Sequence, residues 1–141
     1  MTHTIYVIDD NIFVREALIM LVEEEADLVI CGAADTAVEG LEAILRLQPD
    51  LVLTDYSMPG MTGVDLVERL GALKPEQRVA VFTAHAEPAY VDRALAAGAV
   101  GYILKEDWQS IITGIRHVLY GNVYVSSELD FDRPCPSKNV G

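Results

Sequence analysis

Two kinds of apolar pattern alternate along the chain. Five short apolar runs, rich in β-branched residues, are typical of buried strands, and between them apolar residues recur every three or four positions, as in amphipathic helices. The strand-like runs are 4–8, 28–33, 51–54, 79–82 and 100–104. The helical segments are about 11–25, 35–47, 64–70, 87–97 and 108–120. Because each parallel step needs a crossover, this order predicts an α/β fold with a doubly wound, five-stranded parallel sheet.

The helical pattern stops near Tyr120. From Gly121 onward, serines and prolines are mixed with scattered charges, and no apolar period remains. We therefore expect a compact domain over residues 1–121 and a linker or tail over residues 122–141.

Polar side chains follow four of the predicted strands. Asp9 and Asp10 come after the first strand, Asp55 after the third, Thr83 after the fourth and Lys105 after the fifth. Because the carboxyl ends of parallel strands share one edge of the sheet, these groups are expected to converge. Three carboxylates repel one another unless a cation offsets them, and oxygen ligands without Cys or His favour a hard ion such as Mg²⁺. A carboxylate in such a site can act as a phosphoryl acceptor.

Composition narrows the class of protein. A chain of 141 residues fits one domain, and 22 Asp and Glu against 10 Lys and Arg give a formal charge of −12. That charge repels a phosphate backbone, so we expect no direct binding of nucleic acid.

No apolar stretch approaches the roughly 20 residues of a membrane helix, so no membrane association is expected. The two cysteines form no disulfide or zinc pattern and the N-terminus resembles no secretory signal, which favours a cytoplasmic location.

The motifs at the strand ends resemble those of a known family. The pair Asp9-Asp10, the segment 54–61, Thr83-Ala84 and the segment 102–105 are similar to the receiver domain of two-component response regulators. The resemblance covers residues 4–120. It implies a flavodoxin-like sheet with strand order 2-1-3-4-5.

The resemblance also implies a role for each matching residue. Asp55 would accept a phosphoryl group from the phosphohistidine of a sensor histidine kinase, and Lys105 would hold that group. Mg²⁺ would be bound by Asp10, Asp55 and the backbone carbonyl of Ser57, with Asp9 acting through water. Thr83 and Tyr102 would form the conformational switch. The protein would then be a phosphoacceptor switch rather than an enzyme in the ordinary sense.

A closer similarity is to receivers of the LuxR/NarL type. It is carried by the segments 83–91, 97–102 and 121–126. Those proteins continue into a helix-turn-helix DNA-binding domain, which is not found in this sequence, so we favour a truncated chain over a stand-alone receiver. The subfamily implies transcriptional output and a homodimer formed on phosphorylation, through the face from strand four to helix five or through helices one and five. Glu106 departs from the Pro common after the lysine, and Thr62 stands where an acidic residue is common.

Other interpretations of these residues stay open. Asp9-Asp10 alone is more often a helix cap than a metal site. Tyr102 could simply pack with its hydroxyl outward, and His85 is expected to be an exposed residue just beyond the site.

Two other functions also compete. A haloacid-dehalogenase-like phosphatase would need a second carboxylate where Ser57 stands, and a constitutive binding module on the same fold would leave phosphorylation unused.

Overall fold

The computed structural model describes residues 2–126, which form one parallel sheet covered by helices on both faces. The strands are β1 His3–Ile8, β2 Leu28–Ala34, β3 Leu51–Thr54, β4 Val79–Thr83, β5 Gly101–Leu104 and β6 Tyr124–Val125. The helices are α1 Ile12–Glu23, α2 Ala37–Leu47, α3 Gly63–Leu73, α4 Pro88–Ala97 and α5 Ile111–Leu119, and a 3₁₀ turn, Trp108–Ser110, precedes α5. The sheet order is β2-β1-β3-β4-β5-β6, with every pair parallel. The predicted α/β class and the order 2-1-3-4-5 of the first five strands are confirmed.

The sixth strand corrects the prediction of a five-stranded sheet. Tyr124 pairs with Gly101 and Val125 with Tyr102, so the sheet continues past the boundary predicted after Gly121. The following residue, Ser126, is fully buried, and its Oγ accepts a hydrogen bond from the Leu104 N–H at 2.9 Å. A two-residue strand is too short to show an alternating pattern, so no periodic signal marks it in the sequence. Residues 127–141 of the predicted tail lie outside the described part of the chain.

Each face of the sheet has its own hydrophobic core. One core joins the sheet to α2, α3 and α4 and includes Ile44, Leu66, Leu70 and Val91. The other joins it to α1 and α5 and includes Leu18, Val22, Ile111 and Ile115. The inner strands β3, β4 and β5, and residues 5–8 of β1, are buried by both layers, which explains why they lack the alternation of a one-sided sheet. None of the helices in residues 2–126 is long and apolar enough to cross a membrane.

Side-chain caps fix the helix starts next to the strand tips. The Asn11 side chain accepts hydrogen bonds from the backbone of Phe13 and Val14, and so caps α1. Thr62 and Asp65 form a reciprocal capping box at the start of α3. Thr62, which departs from the family pattern, therefore has a local structural role here.

Candidate functional site

Three aspartates meet at the carboxyl edge of the sheet. Asp9 follows β1 and Asp55 follows β3, and these neighbouring strands pair Ile8 with Thr54 at their ends. One carboxylate oxygen from each of Asp9, Asp10 and Asp55 lies within 4.8 Å of the other two. Asp9 and Asp55 are 1% and 8% exposed, whereas Asp10 is exposed. The convergence expected from the strand pattern is thus present in the structure.

Lys105 supplies the positive charge of the cluster. Its Nζ lies 2.9 Å from Asp9 Oδ2 and 3.2 Å from Asp55 Oδ2. The backbone N–H of Lys105 donates to the Thr83 carbonyl, which anchors the residue at the end of β5. Burial alone would lower the pKa of Lys105, but the hydrogen bond to Asp9 and the charges of Asp55 and Asp9 leave that pKa above its ordinary value. Lys105 is therefore a fixed ammonium between two carboxylates.

The carboxylate of Asp55 is oriented by its own backbone neighbours. Its Oδ1 accepts a hydrogen bond from the Tyr56 N–H at 2.7 Å, and its Oδ2 faces Lys105. Burial raises the pKa of Asp55 and nearby Asp9 raises it further, while Lys105 lowers it, with a net upward shift. The anion is thus held in a partly dehydrated setting that favours added positive charge beside it.

Gly63 allows α3 to start directly against the Asp55 backbone. A Cβ at this position would collide with the Asp55 carbonyl oxygen. The Gly63 N–H also donates to the Tyr56 carbonyl at 2.9 Å, closing the loop between β3 and α3. The close approach places the first turn of α3 beside the end of β3.

The donor set fits a hard divalent cation. The cluster offers carboxylate oxygens only, and two of its three members are buried with a single ammonium between them. Proteins usually bind Mg²⁺ through one or two carboxylates, with waters and phosphate oxygens as the remaining ligands. The geometry is therefore compatible with a magnesium ion near Asp9, Asp10 and Asp55.

Thr83 and Tyr102 lie on neighbouring strands close to this cluster. Thr83 is the last residue of β4 and is buried, and its hydroxyl accepts a weak hydrogen bond from the His85 N–H at 3.4 Å. Tyr102 in β5 is fully buried, and its hydroxyl donates to the His85 carbonyl at 2.7 Å. The interpretation that Tyr102 packs with its hydroxyl outward is therefore wrong, because that hydroxyl has a partner inside the protein.

His85 is more closely tied to the site than the sequence indicated. It is half-buried rather than exposed, and its Nε2 lies 2.9 Å from the Ser57 Oγ in the loop after β3. Its ring stacks on Tyr90 at 4.4 Å and meets the edge of Tyr56 at 5.7 Å. The Ser57–His85 contact joins residues 28 positions apart, so only their positions three and two places after the ends of β3 and β4 could have suggested it.

The chain is similar to known proteins over most of its length. The model of the response regulator receiver domain matches residues 5–116, the greater part of the chain. The chain belongs to the response regulator receiver family. This receiver is 33% identical over 129 residues to YvfU, an uncharacterized transcriptional regulatory protein of Bacillus subtilis, covering 91% of the chain and 64% of YvfU. It is 31% identical over 127 residues to the nitrate/nitrite response regulator protein NarL of Escherichia coli K12, covering 89% of the chain and 59% of NarL.

Solved structures agree with the same assignment. The signal receiver domain of the response regulator NarL from Mycobacterium tuberculosis superposes with a TM-score of 0.82 at 31% identity, covering 86% of this chain and 98% of that one. A LuxR-family response regulator from Aurantimonas sp. gives a TM-score of 0.92 at 26% identity, with both chains fully covered. The receiver is thus related to the NarL/LuxR type. The chain spans about three fifths of the length of the curated relatives named above.

Proposed function

We propose that this receiver is a phosphorylation-controlled switch whose acceptor is Asp55. The observation that carries the proposal is the buried contact of Lys105 with both Asp9 and Asp55 at the tips of β1, β3 and β5. Such a cluster is costly to bury unless it serves a bound anion or cation, because each charge loses hydration. A phosphoryl group on Asp55 and a divalent ion beside it would use every member of the cluster.

The two oxygens of Asp55 have different roles in this proposal. Oδ1 accepts the Tyr56 N–H at 2.7 Å, whereas Oδ2 has only the longer contact with Lys105 at 3.2 Å, so we assign the attack on phosphorus to Oδ2. Attack would form the Oδ2–P bond of an acyl phosphate while the N–P bond of a phosphohistidine breaks and returns its electron pair to the imidazole. Lys105 already contacts Oδ2, so its ammonium would remain beside the new phosphoryl oxygens.

Asp10 and Asp55, with the backbone carbonyl of Ser57, would bind Mg²⁺, and Asp9 would contribute through water. When bound, the ion would offset negative charge on the transferring group. Thr83 would then donate its hydroxyl to a phosphoryl oxygen. That movement would disturb its contact with the His85 N–H and, through the His85 carbonyl, the position of Tyr102.

The partners of the switch follow from its family. A sensor histidine kinase would supply the phosphoryl group, and phosphorylation would favour a homodimer. NarL and YvfU are described as a response regulator and a transcriptional regulatory protein, and both are longer than this chain. We therefore propose transcriptional output through a helix-turn-helix domain outside this sequence, rather than direct binding of nucleic acid by residues 1–141.

Intact mass spectrometry tests the acceptor. Wild-type protein and Asp55→Asn would be incubated with Mg²⁺ and acetyl phosphate or phosphoramidate, with EDTA as a parallel arm. The proposal expects one added phosphoryl group in the wild type, none in Asp55→Asn and none with EDTA. Addition to the Asp55→Asn protein would refute Asp55 as acceptor.

The same samples separate the competing functions. Steady multi-turnover hydrolysis of a small phosphate ester would indicate a phosphatase, although Ser57 stands where that class needs its second carboxylate. Absence of Mg²⁺ binding together with absence of phosphoryl uptake, from both small donors and a kinase, would indicate a constitutive binding module.

A further inference from the structure

Helix α2 faces the sheet with three small residues and Ile44, and leaves the apolar side chains of Val38 and Leu45 at the surface. Its buried positions include Ala37, Gly40 and Ala43, whereas Val38 and Leu45 are 62% and 39% exposed. A Cβ at Gly40 would collide with the Ile8 side chain, which shows how closely the helix sits on the sheet. The core beneath α2 therefore leaves no room for the outer residues. Packing within the domain does not explain why they are apolar.

These residues line a groove between α2 and α3. Val38, Leu41 and Leu45 form one side, Leu73 lies on the other, and the groove encloses about 380 Å³. Leu73 is 56% exposed, so both walls are open to solvent. Val38 and Leu45 are seven positions apart, which is about 10.5 Å along a helix at 1.5 Å per residue. A contiguous patch of this kind differs from isolated surface leucines and marks an interaction surface.

The rim of the groove is acidic. Glu39 and Glu42 line it on the α2 side. Arg69 also lines the groove. The same residue lines a second cleft of about 270 Å³, together with Asp65 and Glu68. Across the two clefts, four carboxylate residues accompany one basic residue, Arg69. No ion pair within residues 2–126 involves Arg69. The surface as a whole favours a positively charged partner.

We propose that the α2–α3 groove binds a basic amphipathic helix, with apolar side chains at i, i+3 or i+4, and i+7 seated between Val38, Leu45 and Leu73. That spacing matches the length of the groove, and helices commonly bind grooves in this way. The partner's lysines or arginines would meet Glu39, Glu42, Asp65 and Glu68.

Two other occupants fit the surface less well. The chain after Ser126 carries Glu128, Asp130 and Asp132 against Arg133 and Lys138, so it is not basic. It also leaves the sheet from β6, at the edge opposite β2, whereas α2 follows β2. A second copy of the chain would bring a formal charge of −12 toward an acidic rim.

The test uses a synthetic helix of leucine and lysine with leucines at i, i+3, i+4 and i+7, titrated into the ¹⁵N-labelled full chain. A matched peptide carries glutamate in place of lysine. Three protein variants are compared with the wild type: Leu45→Glu and Leu73→Glu in the groove, and Met20→Glu, an equally charged change at an exposed site of α1 on the opposite face. Circular dichroism confirms that each variant is folded.

The proposal expects amide shifts confined to α2 and α3 with the lysine peptide and none with the glutamate peptide. Leu45→Glu and Leu73→Glu should each weaken binding about 10-fold or more, since a leucine contact is lost, while Met20→Glu should leave it unchanged. The added glutamates would attract a basic peptide, so a loss of affinity cannot come from charge.

Shifts scattered over the acidic surface that Leu45→Glu does not weaken would overturn the proposal. Equal binding of both peptides, or no shift up to a millimolar peptide concentration, would overturn it as well. Self-association of the wild type that Leu45→Glu abolishes would assign the groove to a second copy instead.

Discussion

Replacing Lys105 by methionine should expose the electrostatic cost of the acidic cluster. The Lys105 ammonium lies 2.9 Å from Asp9 Oδ2 and 3.2 Å from Asp55 Oδ2, and the two carboxylate side chains are 2% and 10% exposed. Removing one partner of a fully buried ion pair costs roughly 3–5 kcal/mol. Because the Lys105 side chain is itself 20% exposed, solvent screening reduces this. We expect Lys105→Met to lower the free energy of unfolding by about 2–3 kcal/mol at neutral pH without divalent ions.

A double-mutant cycle separates charge from packing. Methionine keeps the length of the lysine stem, so the loss should come mainly from two carboxylates left without their cation. Asp55→Asn in the same background removes one of them, and the double variant should recover at least about 1 kcal/mol relative to additivity. Mg²⁺ should stabilise Lys105→Met more than the wild type, since the ion then replaces the missing charge.

Urea unfolding followed by circular dichroism gives these free energies, with EDTA and Mg²⁺ arms. The pH dependence supplies a further check: the pKa of Asp55 is raised by burial, so the deficit of Lys105→Met should shrink as the pH falls and Asp55 takes up a proton. A loss below about 0.5 kcal/mol, or strict additivity in the cycle, would show that the cluster is hydrated and would refute the reasoning.

Three further changes test local features of the fold. Gly63→Ala should destabilise the protein by about 1–3 kcal/mol because the methyl group meets the Asp55 carbonyl, and a chemical-denaturation midpoint equal to the wild type would contradict this. Thr62→Ala should cost about 1 kcal/mol through the lost capping box, whereas Thr62→Ser should restore thermal stability. Arg116→Gln should remove ion pairs with both Asp27 and Glu25. Arg116 holds the pKa of Asp27 at about 2, against an ordinary 3.8, so the stability that comes from the Asp27 pair is present above pH 3.8 and lost as the pH falls toward 2. A difference between wild type and Arg116→Gln that does not shrink over that interval of an acid titration would argue against the pair.

The sheet and the acidic cluster were predictable because both depend on local pattern and simple topology. Each strand that is buried on both faces shows as an apolar run, and a charged residue at its end marks the tip. Parallel order then brings Asp9, Asp10, Asp55 and Lys105 to one edge whatever the details of the loops. The helix starts predicted near residues 11 and 35 were similarly local, since the side chains that cap them, Asn11 and Thr36, act within three positions.

Features that depend on distant side chains were not predictable in this way. The bond between Ser57 and His85 requires two loops to take up specific conformations, and neither loop has a periodic signal. The inward position of Tyr102 depends on the carbonyl of His85, 17 residues earlier. The strand Tyr124–Val125 forms because β5 has a free edge, and this is a property of the sheet rather than of the two residues.

The end of the described chain is hydrogen-bonded to β5, the strand that directly precedes Lys105. The Ser126 N–H donates to the Tyr102 carbonyl at 2.9 Å, and the Ser126 Oγ accepts from the Leu104 N–H, one residue before Lys105. A rigid shift of β5 would therefore carry Ser126 with it. The last described residue is thus coupled to the backbone just before Lys105, and a displacement of the β5 tip would reach it through two hydrogen bonds rather than through a flexible connection.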